Sequence, residues 1–427
     1  MKQSTFQKLL FFCLSGPLCI SPAMAADLYA TQDYLTGDWG GYRSKMFDSG
    51  VDIALSYTPE PAASVSGGYD QTNTYLHNIN AALTLDLEKI FSIKKTVFIA
   101  KYSSRSGDNL SELYVAPGAA ENGKYEYGEY FNKSQEAFGG QTTKLVNFQI
   151  STEVSDEWSL DFGRLVMNDL FLRSDLYCNF INNAVCGSPK GVFTPYALNA
   201  YPDATVGAHV KYQATDMFDL KLGIFDGSWT RQDSNGWDWS MGRNGVAVIG
   251  EMQLFFDRAA SGGAQQVVKL GANYNSGDFN NFKTGETTSG SYSVYLLSDW
   301  KLFAEENDIN QGLALFGSIV ANSDEEIAGL PMSYTLGFVY EGLIPTRNRD
   351  KLGLMVTIAE HSEYNTYTHD YIPGKIRGTE TLLELTYNFR LGYGIEVMPS
   401  FQYISNPNGS KDFDNVTVLG TKLNVNF

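Results

Sequence analysis

The stretch that decides the fold is Asn415 to Phe427, which reads N-V-T-V-L-G-T-K-L-N-V-N-F. Every second residue back from Phe427 is apolar or threonine: Val425, Leu423, Thr421 and Leu419. The residues between them are Asn426, Asn424, Lys422 and Gly420. Because successive side chains of a strand point to opposite faces, this pattern predicts a strand with one apolar face and one wet face. Either a protein core or membrane lipid would satisfy the apolar face.

The composition favours strands over helices. The 427 residues include 26 Tyr, 26 Phe and 41 Gly, which suit strands, turns and aromatic girdles. Mean hydropathy is -0.22, and no apolar run after residue 30 reaches the roughly 18 residues that a membrane-spanning helix needs. Any membrane-spanning segment must therefore be a strand. The length allows two or three soluble domains or one large barrel.

Residues 1–25 are predicted to be a secretory signal, because Lys2 and Lys8 are followed by an apolar run and an A-x-A site that ends at Ala25. Its removal would change the formal net charge from -17 to -19, and such acidity argues against nucleic-acid partners. Residues 26–50 are predicted to form an N-terminal segment with a short periplasmic helix that Asp38 caps. Residues 51–427 then form one barrel.

Two of the four cysteines, Cys13 and Cys19, lie in the predicted signal. Cys178 and Cys186 remain, and the oxidising compartment of an exported protein favours a disulfide between them. A zinc site would need more ligands nearby, and no histidine lies close in sequence. We therefore expect a disulfide and no metal.

Period-2 alternation from Val51 onward predicts about sixteen strands, an even number as in bacterial single-chain barrels. The pattern is clear in 380–390, where Leu383 and Leu385 alternate with Glu384 and Thr386. The predicted ranges are 51–57, 77–88, 96–103, 144–151, 159–165, 207–214, 218–226, 245–256, 266–275, 292–302, 311–321, 333–341, 352–361, 380–390, 394–404 and 415–427.

The predicted connections are sorted by length. The long ones follow odd-numbered strands: 58–76, 104–143, 166–206, 227–244, 276–291 and 362–379. The short ones follow even-numbered strands: 89–95, 152–158, 215–217 and 391–393. This sorting is typical of a transmembrane barrel with long extracellular loops and short periplasmic turns. We therefore predict an all-β fold, a transmembrane antiparallel β-barrel of about 16 strands with a short N-terminal helix, in a bacterial outer membrane.

Four stretches of the sequence have the form of family motifs. They are L-T-G-D-W-G-G-Y-R at 35–43 followed by G-V-D at 50–52, Y-C-N-F at 177–180, F-V-Y-E-G-L-I-P at 338–345 and Q-Y-I-S-N-P-N-G at 402–409. These stretches resemble the motifs of the carbohydrate-selective porins (OprB-like). The resemblance spans essentially the whole mature chain. It implies a sixteen-stranded outer-membrane channel that passes sugars, glucose being the familiar case. The stretch from about 110 to 140 departs from the family, because it looks long.

A channel for neutral sugars needs directional donors and acceptors for hydroxyls, and a flat aromatic ring for the apolar sugar face. Arg105 follows the third predicted strand, with Asp108 and Glu112 after it, and resembles the family's Arg-x-Gly segment near the constriction. Arg105 is therefore predicted to donate to sugar hydroxyls near mid-barrel. The alternative is a charge on a solvated loop.

Two later stretches add candidates for the constriction. Arg164 ends a predicted strand, and Asp169 and Arg173 follow in the connection that carries both cysteines. This connection is predicted to fold inward and narrow the lumen, although it could instead only cover the mouth. Trp229 with Arg231 follows strand 218–226, and Trp229 is either a sugar-facing ring or part of an interfacial girdle.

Other functions were weighed. An enzyme would need a nucleophile with a histidine or paired carboxylates, whereas the four histidines are scattered and no G-x-S-x-G motif occurs. A surface-structural barrel and a general diffusion porin remain as alternatives. We predict a channel that passively conducts carbohydrates and accompanying ions, without cofactor. Its partners would be sugars in transit, outer-membrane lipid, and the barrel assembly machinery that reads the strand ending at Phe427.

Overall fold

The computed structural model describes residues 33–68, 70–115, 133–136, 142–193, 198–228, 235–242, 245–257, 266–306, 308–365 and 377–427. Within these residues, sixteen antiparallel strands form one closed barrel in which each strand pairs with its neighbours in sequence and β1 pairs with β16. No described helix is long and apolar enough to cross a membrane.

The strands are β1 Val51–Ser66, β2 Asn73–Asp86, β3 Thr96–Gly107, β4 Thr142–Glu153, β5 Trp158–Leu165, β6 Thr205–Thr215, β7 Phe218–Asp226, β8 Val246–Asp257, β9 Gln266–Asn280, β10 Thr287–Glu305, β11 Asp308–Asn322, β12 Met332–Glu341, β13 Lys351–Glu360, β14 Thr379–Gly392, β15 Ile395–Ser405 and β16 Val416–Asn426. Among the described residues, three short α-helices accompany them: α1 Tyr42–Asp48, α2 Leu87–Phe91 and α3 Met167–Leu170. We call the end with the connections 87–95 and 154–157 the turn end, and the opposite end the loop end.

All sixteen predicted strands are present, but two of the connections predicted to be long are in fact short. The strand β1 continues to Ser66, and β9 and β10 approach each other to leave only 281–286 between them. Alternation in β1 was hidden by Pro59 and Pro61. Both prolines pair with β2, whereas the pairs with β16 skip from Tyr57 to Ala62 without a change of register, and a missing N–H is tolerated there.

The strands alternate between an outward lipid-facing surface and an inward one. In β14, Leu383, Leu385 and Phe389 are exposed on the outer wall, whereas Glu380 and Glu384 are fully buried inside. This agrees with the period-2 prediction for 380–390. An antiparallel barrel with such a surface leaves no unpaired sheet edge in the bilayer.

Part of the inner wall is apolar, whereas the alternation in the sequence predicted that the face opposite the lipid is wet. Inward side chains of β11 and β13–β16 pack with Tyr177, Phe180, Ala184 and Val185 from the connection between β5 and β6. These wall residues are Phe316, Met355, Leu382, Ile404, Val416 and Val418. A second cluster joins Phe225, Ile249, Tyr295 and Leu297 of the wall to Phe171, Leu172 and Val192 of the same connection. Burial of one such side chain contributes about 1.5–3 kcal/mol. The connection is therefore packed inside the barrel.

The N-terminal segment lies at the turn end. The helix α1 begins at Tyr42, with Gly41 as its N-cap, and follows a 3-10 turn, Trp39–Gly41, whose N-cap is Asp38. The Asp38 carboxylate accepts hydrogen bonds from the backbone N–H and the hydroxyl of Ser44 in the first turn of α1, both at 2.9 Å. The segment also joins the last strand, because Leu35 N–H donates to the carbonyl oxygen of Asn426 at 2.7 Å.

Candidate functional site

The connection between β5 and β6, residues 166–204, crosses the barrel interior, and we call it the inner loop. Leu172 N–H donates to Glu251 on β8 at 2.9 Å, and the Ser174 hydroxyl donates to Asp299 on β10 at 2.9 Å. Further along, Thr386 on β14 donates to the carbonyl oxygen of Asn179 at 2.6 Å. Inward side chains on successive strands thus hold the loop along the interior of the barrel.

A disulfide joins Cys178 to Cys186 within the inner loop, as predicted. The enclosed Asn182 donates from its backbone to Glu384 at 3.2 Å and from its amide side chain to Gln402 at 2.8 Å. Glu384 also accepts from Ile181 N–H at 2.9 Å. Because these contacts join the ring to β14 and β15, the disulfide stiffens a part of the loop that is bound to the wall.

The polar side of the inner loop faces β2, β3 and β4. Lys101 on β3 forms an ion pair with Asp169 of α3 at 3.2 Å. Lys144 on β4 forms an ion pair with Asp203 at 2.6 Å. The Tyr201 hydroxyl donates to the side-chain oxygen of Asn80 on β2. Polar groups of the inner loop and of the wall therefore meet in this sector, beside a small apolar cluster of Val146, Val166 and Ala204.

Arg105 lies in this sector. Its side chain points inward and is 6% exposed, and its guanidinium carbon is 5.0 Å from the centre of the Tyr201 ring, within cation–π range. Its cross-strand partners are Asn78 and Thr142, the first residue of β4. Arg105 thus belongs to β3 and lies near the loop end, which corrects the expectation that it follows the strand near mid-barrel.

The side chains around Arg105 form a hydrogen-bonded group. The Ser103 hydroxyl donates to Asn78 at 2.8 Å, and the Asn78 amide donates to Asn80 at 3.3 Å. We call this set the polar cluster; its members are Asn78, Asn80, Lys101, Ser103, Arg105 and Lys144 on the wall and Asp169, Tyr201 and Asp203 on the inner loop. It combines amide, hydroxyl and charged groups with one aromatic ring. Sequence reasoning found Arg105 and Asp169 but missed Tyr201, which no local pattern marks.

Arg164 does not point into the lumen, contrary to the expectation that it lines the constriction. Its cross-strand partners are Phe148 and Val206, and Phe148 is exposed on the outer wall. The Arg164 guanidinium donates to the carbonyl oxygen of Asp238 at 2.9 Å, and Trp239 packs edge-on against Phe148. The connection between β7 and β8 therefore covers the outer face here. Side chains of a strand alternate between its two faces, and Asp161 and Leu165 face inward. Arg164 lies an odd number of positions from each of them and therefore belongs to the outer face.

The other predicted site residues are spread over different environments. Asp108 is exposed directly after β3, and Glu112 lies in a π-helical turn, Ser111–Val115. Arg173 is half-buried in the inner loop, where its guanidinium donates to the Asp169 carbonyl oxygen at 3.1 Å. Trp229 and Arg231 lie outside the described residues.

Within the part of the chain that the structure describes, one group has the spacing of a metal site: Glu136, Cys178 and Cys186, with ligand atoms within 4.8 Å of one another. Both sulfur atoms are bonded to each other, so neither is available as a thiolate ligand. This group is better described as a contact between Glu136 and the disulfide.

Comparison with known proteins gives consistent similarities. The family model "Carbohydrate-selective porin, OprB family" matches residues 70–427. The chain is 26% identical over 446 residues to "Porin B" of Pseudomonas aeruginosa, covering 95% of this chain and 94% of that protein. It is 25% identical over 444 residues to "Putative porin QuiX" of Acinetobacter baylyi, covering 97% and 98%. The solved "High pH structure of Pseudomonas putida OprB" aligns with a TM-score of 0.84 at 26% identity, covering 92% of this chain and 98% of that one.

Proposed function

Since this chain belongs to the carbohydrate-selective porin, OprB family, and is a porin of the bacterial outer membrane, we propose that it conducts glucose-like sugars past the polar cluster. The observation that carries the proposal is that Arg105, on the wall strand β3, and Tyr201, on the inner loop, lie next to each other in the polar cluster. A guanidinium offers five donors in a fixed plane for ring hydroxyls. The tyrosine ring offers a flat surface for the apolar face of a sugar.

The ion pairs of the polar cluster are suited to the binding of an uncharged solute. Lys101 with Asp169 and Lys144 with Asp203 present donors and acceptors close together while their charges compensate each other. A hydroxyl can exchange its water for either partner of an ion pair, and neither pair carries a net charge. Weak, repeated binding of this kind is what conduction requires. Arg173 and Asp108 are proposed to extend the route within the inner loop and at the loop end.

The rest of the proposal concerns the setting of the channel. The turn end faces the periplasm, the loop end faces outward, and the strand that ends at Phe427 is read by the barrel assembly machinery. Ions accompany the sugars passively, and the proposal includes no catalytic step and no cofactor. Trp229 and Arg231 stay candidates for sugar contact.

The test is the glucose concentration that half-blocks single-channel current, measured for wild type and for Arg105→Ala. Loss of a charged hydrogen bond costs about 1.5–3 kcal/mol, and competition by water in a wet pore leaves about 1 kcal/mol. Block should therefore weaken roughly fivefold. Arg164→Ala is the matched control, because it removes the same side chain from the outer face of the same barrel. Heat-modifiable gel mobility verifies that each variant is folded.

Two further variants separate the roles of Tyr201. Tyr201→Phe keeps the ring and loses the hydrogen bond to Asn80, whereas Tyr201→Ala loses both. We expect weaker sugar block from Tyr201→Ala than from Tyr201→Phe. If folded Arg105→Ala and Tyr201→Ala are both blocked as well as wild type, sugars do not contact this cluster. If glucose and unrelated neutral solutes of equal size pass wild type equally well, the protein is a general diffusion porin.

A further inference from the structure

Four inward side chains of alternating charge lie on four neighbouring strands, and each of them is hydrogen-bonded to the inner loop. The first two are Lys221 on β7 and Glu251 on β8. The Lys221 ammonium group donates to the carbonyl oxygen of Leu170 at 2.8 Å, and the Glu251 carboxylate accepts from Leu172 N–H at 2.9 Å. The two side chains also form an ion pair with each other at 3.5 Å. A cation thus meets a backbone acceptor, and an anion meets a backbone donor.

The next two strands continue this pattern. Lys269 on β9 donates to the carbonyl oxygen of Arg173, and the Ser174 hydroxyl donates to Asp299 on β10 at 2.9 Å. We call the four wall residues the charge ladder; its members are Lys221, Glu251, Lys269 and Asp299. The order of cation and anion along the ladder matches the order of acceptors and donors along residues 170–174 of the loop.

The backbone of Leu172, in the middle of these contacts, has an unusual conformation. Its φ angle is +60°, in the left-handed region that residues with a branched side chain rarely adopt. The Leu172 side chain is fully buried and packs in the apolar cluster that contains Phe171 and Val192. A conformation of this kind persists only where the surrounding structure fixes it by several contacts at once. The charge ladder supplies such contacts and holds this part of the loop in one register.

The charge ladder is adjacent in the chain to a member of the polar cluster. Asp169 directly precedes Leu170 in α3, and its carboxylate forms the ion pair with Lys101 on β3 at 3.2 Å. The carbonyl oxygen of Asp169 accepts from the Arg173 guanidinium at 3.1 Å. Because the ladder binds the carbonyl oxygens of both Leu170 and Arg173, it fixes the backbone that carries Asp169.

We propose that the members of the charge ladder are positioning residues for the polar cluster: by fixing the register of residues 170–174, they hold the Asp169 carboxylate where it meets Lys101 and a passing sugar. The Asp169 side chain is 24% exposed and can reach a solute, whereas that of Glu251 is 0% exposed and acts only through the loop. This inference rests on the proposed function, since it assigns an effect of the ladder to sugar binding at the polar cluster.

The test exchanges the first two charges of the ladder in the variant Lys221→Glu/Glu251→Lys. The exchange keeps the net charge and allows an ion pair, but it places an anion at the Leu170 carbonyl oxygen and a cation at Leu172 N–H. We expect the glucose concentration that half-blocks single-channel current to rise about fivefold, the effect of one lost hydrogen bond in a wet pore. Heat-modifiable gel mobility verifies folding.

The matched control exchanges another inward ion pair on neighbouring strands, in Glu341→Lys/Lys351→Glu. Glu341 on β12 and Lys351 on β13 are 3.4 Å apart at the turn end, away from residues 170–174. This variant undergoes the same chemical change as the ladder variant, and its half-blocking glucose concentration should equal that of wild type.

A double-mutant cycle separates positioning from general damage to the barrel. In the Asp169→Asn background, the ladder exchange should weaken glucose block no further, because the carboxylate that it positions is already absent. An equal further loss of block in both backgrounds would show that the ladder does not act through Asp169, and would overturn the proposal.

The remaining outcomes separate this inference from the proposed function. If the folded exchange variant is blocked as well as wild type while Arg105→Ala is not, the ladder has no positioning role and the sugar contacts stand. If Arg105→Ala and Asp169→Asn are both blocked as well as wild type, both proposals are wrong. If the exchange variant fails to fold, Lys221→Met, which removes the donor to Leu170, is measured in both backgrounds by the same criteria.

Discussion

The guanidinium of Arg43 donates a hydrogen bond of 2.5 Å to the backbone carbonyl oxygen of Phe427, a residue 384 positions later in the chain. The same guanidinium lies 3.9 Å from the centre of the Tyr34 ring and 4.3 Å from that of Trp39. It also donates to the Ile53 carbonyl oxygen on β1 at 3.3 Å. One buried side chain thus connects the N-terminal segment to both strands of the β1–β16 seam.

Arg43→Gln should weaken this seam. A hydrogen bond from a charged group contributes about 1.5–3 kcal/mol, and we expect the free energy of unfolding to fall by that order. The measurement is the urea midpoint of heat-modifiable mobility. Arg43→Lys serves as the control, because it retains the charge but not the planar donor set. Equal midpoints for wild type and Arg43→Gln would mean that the seam is stable without this contact.

The Tyr34 contact should make the seam sensitive to alkaline pH. Burial, helped by the nearby Asp52 carboxylate, raises the pKa of Tyr34 above its usual value. A group whose pKa is raised in the folded state stabilises it below the unfolded-state pKa, about 10 for tyrosine, and this stability is lost as pH rises above that value. Tyr34→Phe should therefore reduce the loss of stability as pH rises above about 10. An identical alkaline profile in the two proteins would contradict this.

Glu384 should be the main anchor of the inner loop. Its carboxylate accepts from two backbone N–H groups of the loop and from the Ser400 hydroxyl at 2.6 Å. In Glu384→Ala, two buried N–H groups lose their partner, at about 1–3 kcal/mol each. Limited proteolysis with mass spectrometry should show new cleavage within 176–186. Glu384→Gln retains one acceptor and should be cleaved more slowly; no cleavage in either variant would refute the anchor.

Loss of the disulfide should have a milder effect on the channel. The chain-entropy model assigns about 2–3 kcal/mol to closure of a ring of this length. Because Glu384 and Thr386 still hold the loop, we expect Cys178→Ser/Cys186→Ser to keep the wild-type conductance while its loop is cleaved faster by protease. A large conductance increase would show that the disulfide alone maintains the loop position. Mass spectrometry of native protein should find no free thiol at either position.

Asp350 should be essential to the turn between β12 and β13. Its buried carboxylate accepts two hydrogen bonds from Arg347, at 2.7 and 2.9 Å, one from Tyr387 at 3.1 Å and one from Arg390 N–H at 3.0 Å. Asp350→Asn keeps the shape but replaces an acceptor oxygen by a donor, and we expect about 1–3 kcal/mol of destabilisation. The urea midpoint measures it, with Asp324→Asn on an exposed loop as control. Equal midpoints would argue against this role.

The barrel could be predicted from the sequence because every strand repeats one local rule. Alternation in 380–390 and the sorting of connection lengths both follow from lipid outside and polar groups inside. The inner loop obeys no local rule, since its position depends on partners such as Glu251 and Glu384 that are distant in sequence. Val416 and Val418 carried the missing signal: apolar residues on the otherwise polar face of β16 mark where a loop is packed.

The candidate site could be predicted only where its residues lie on strands of the barrel. Arg105 was found through a family motif and lies on the inward face of β3, whereas Tyr201 approaches it from another loop. Arg164 was assigned to the lumen because it opens a long connection, although counting by two from Asp161 places it outside. The position of a residue in the alternation of its strand was thus a better guide to whether it faces the lumen than its chemical type.

The segment Lys133–Glu136, which lies inside the barrel, has a consequence for the order of assembly. Gln135 is hydrogen-bonded to the carbonyl oxygen of Glu60 and Glu136 is paired with Lys422, and these partners lie on β1 and β16, the two strands whose pairing closes the barrel. The barrel must therefore close around the segments that lie inside it, Lys133–Glu136 and the inner loop. Either these segments are packed together before β1 pairs with β16, or they enter through the loop end after the barrel has closed. In the first case, oxidation of Cys178 and Cys186 precedes compact gel mobility during refolding; in the second case, it follows. In the first case, the pairing of β1 with β16 would have to wait until the inner segments are in place.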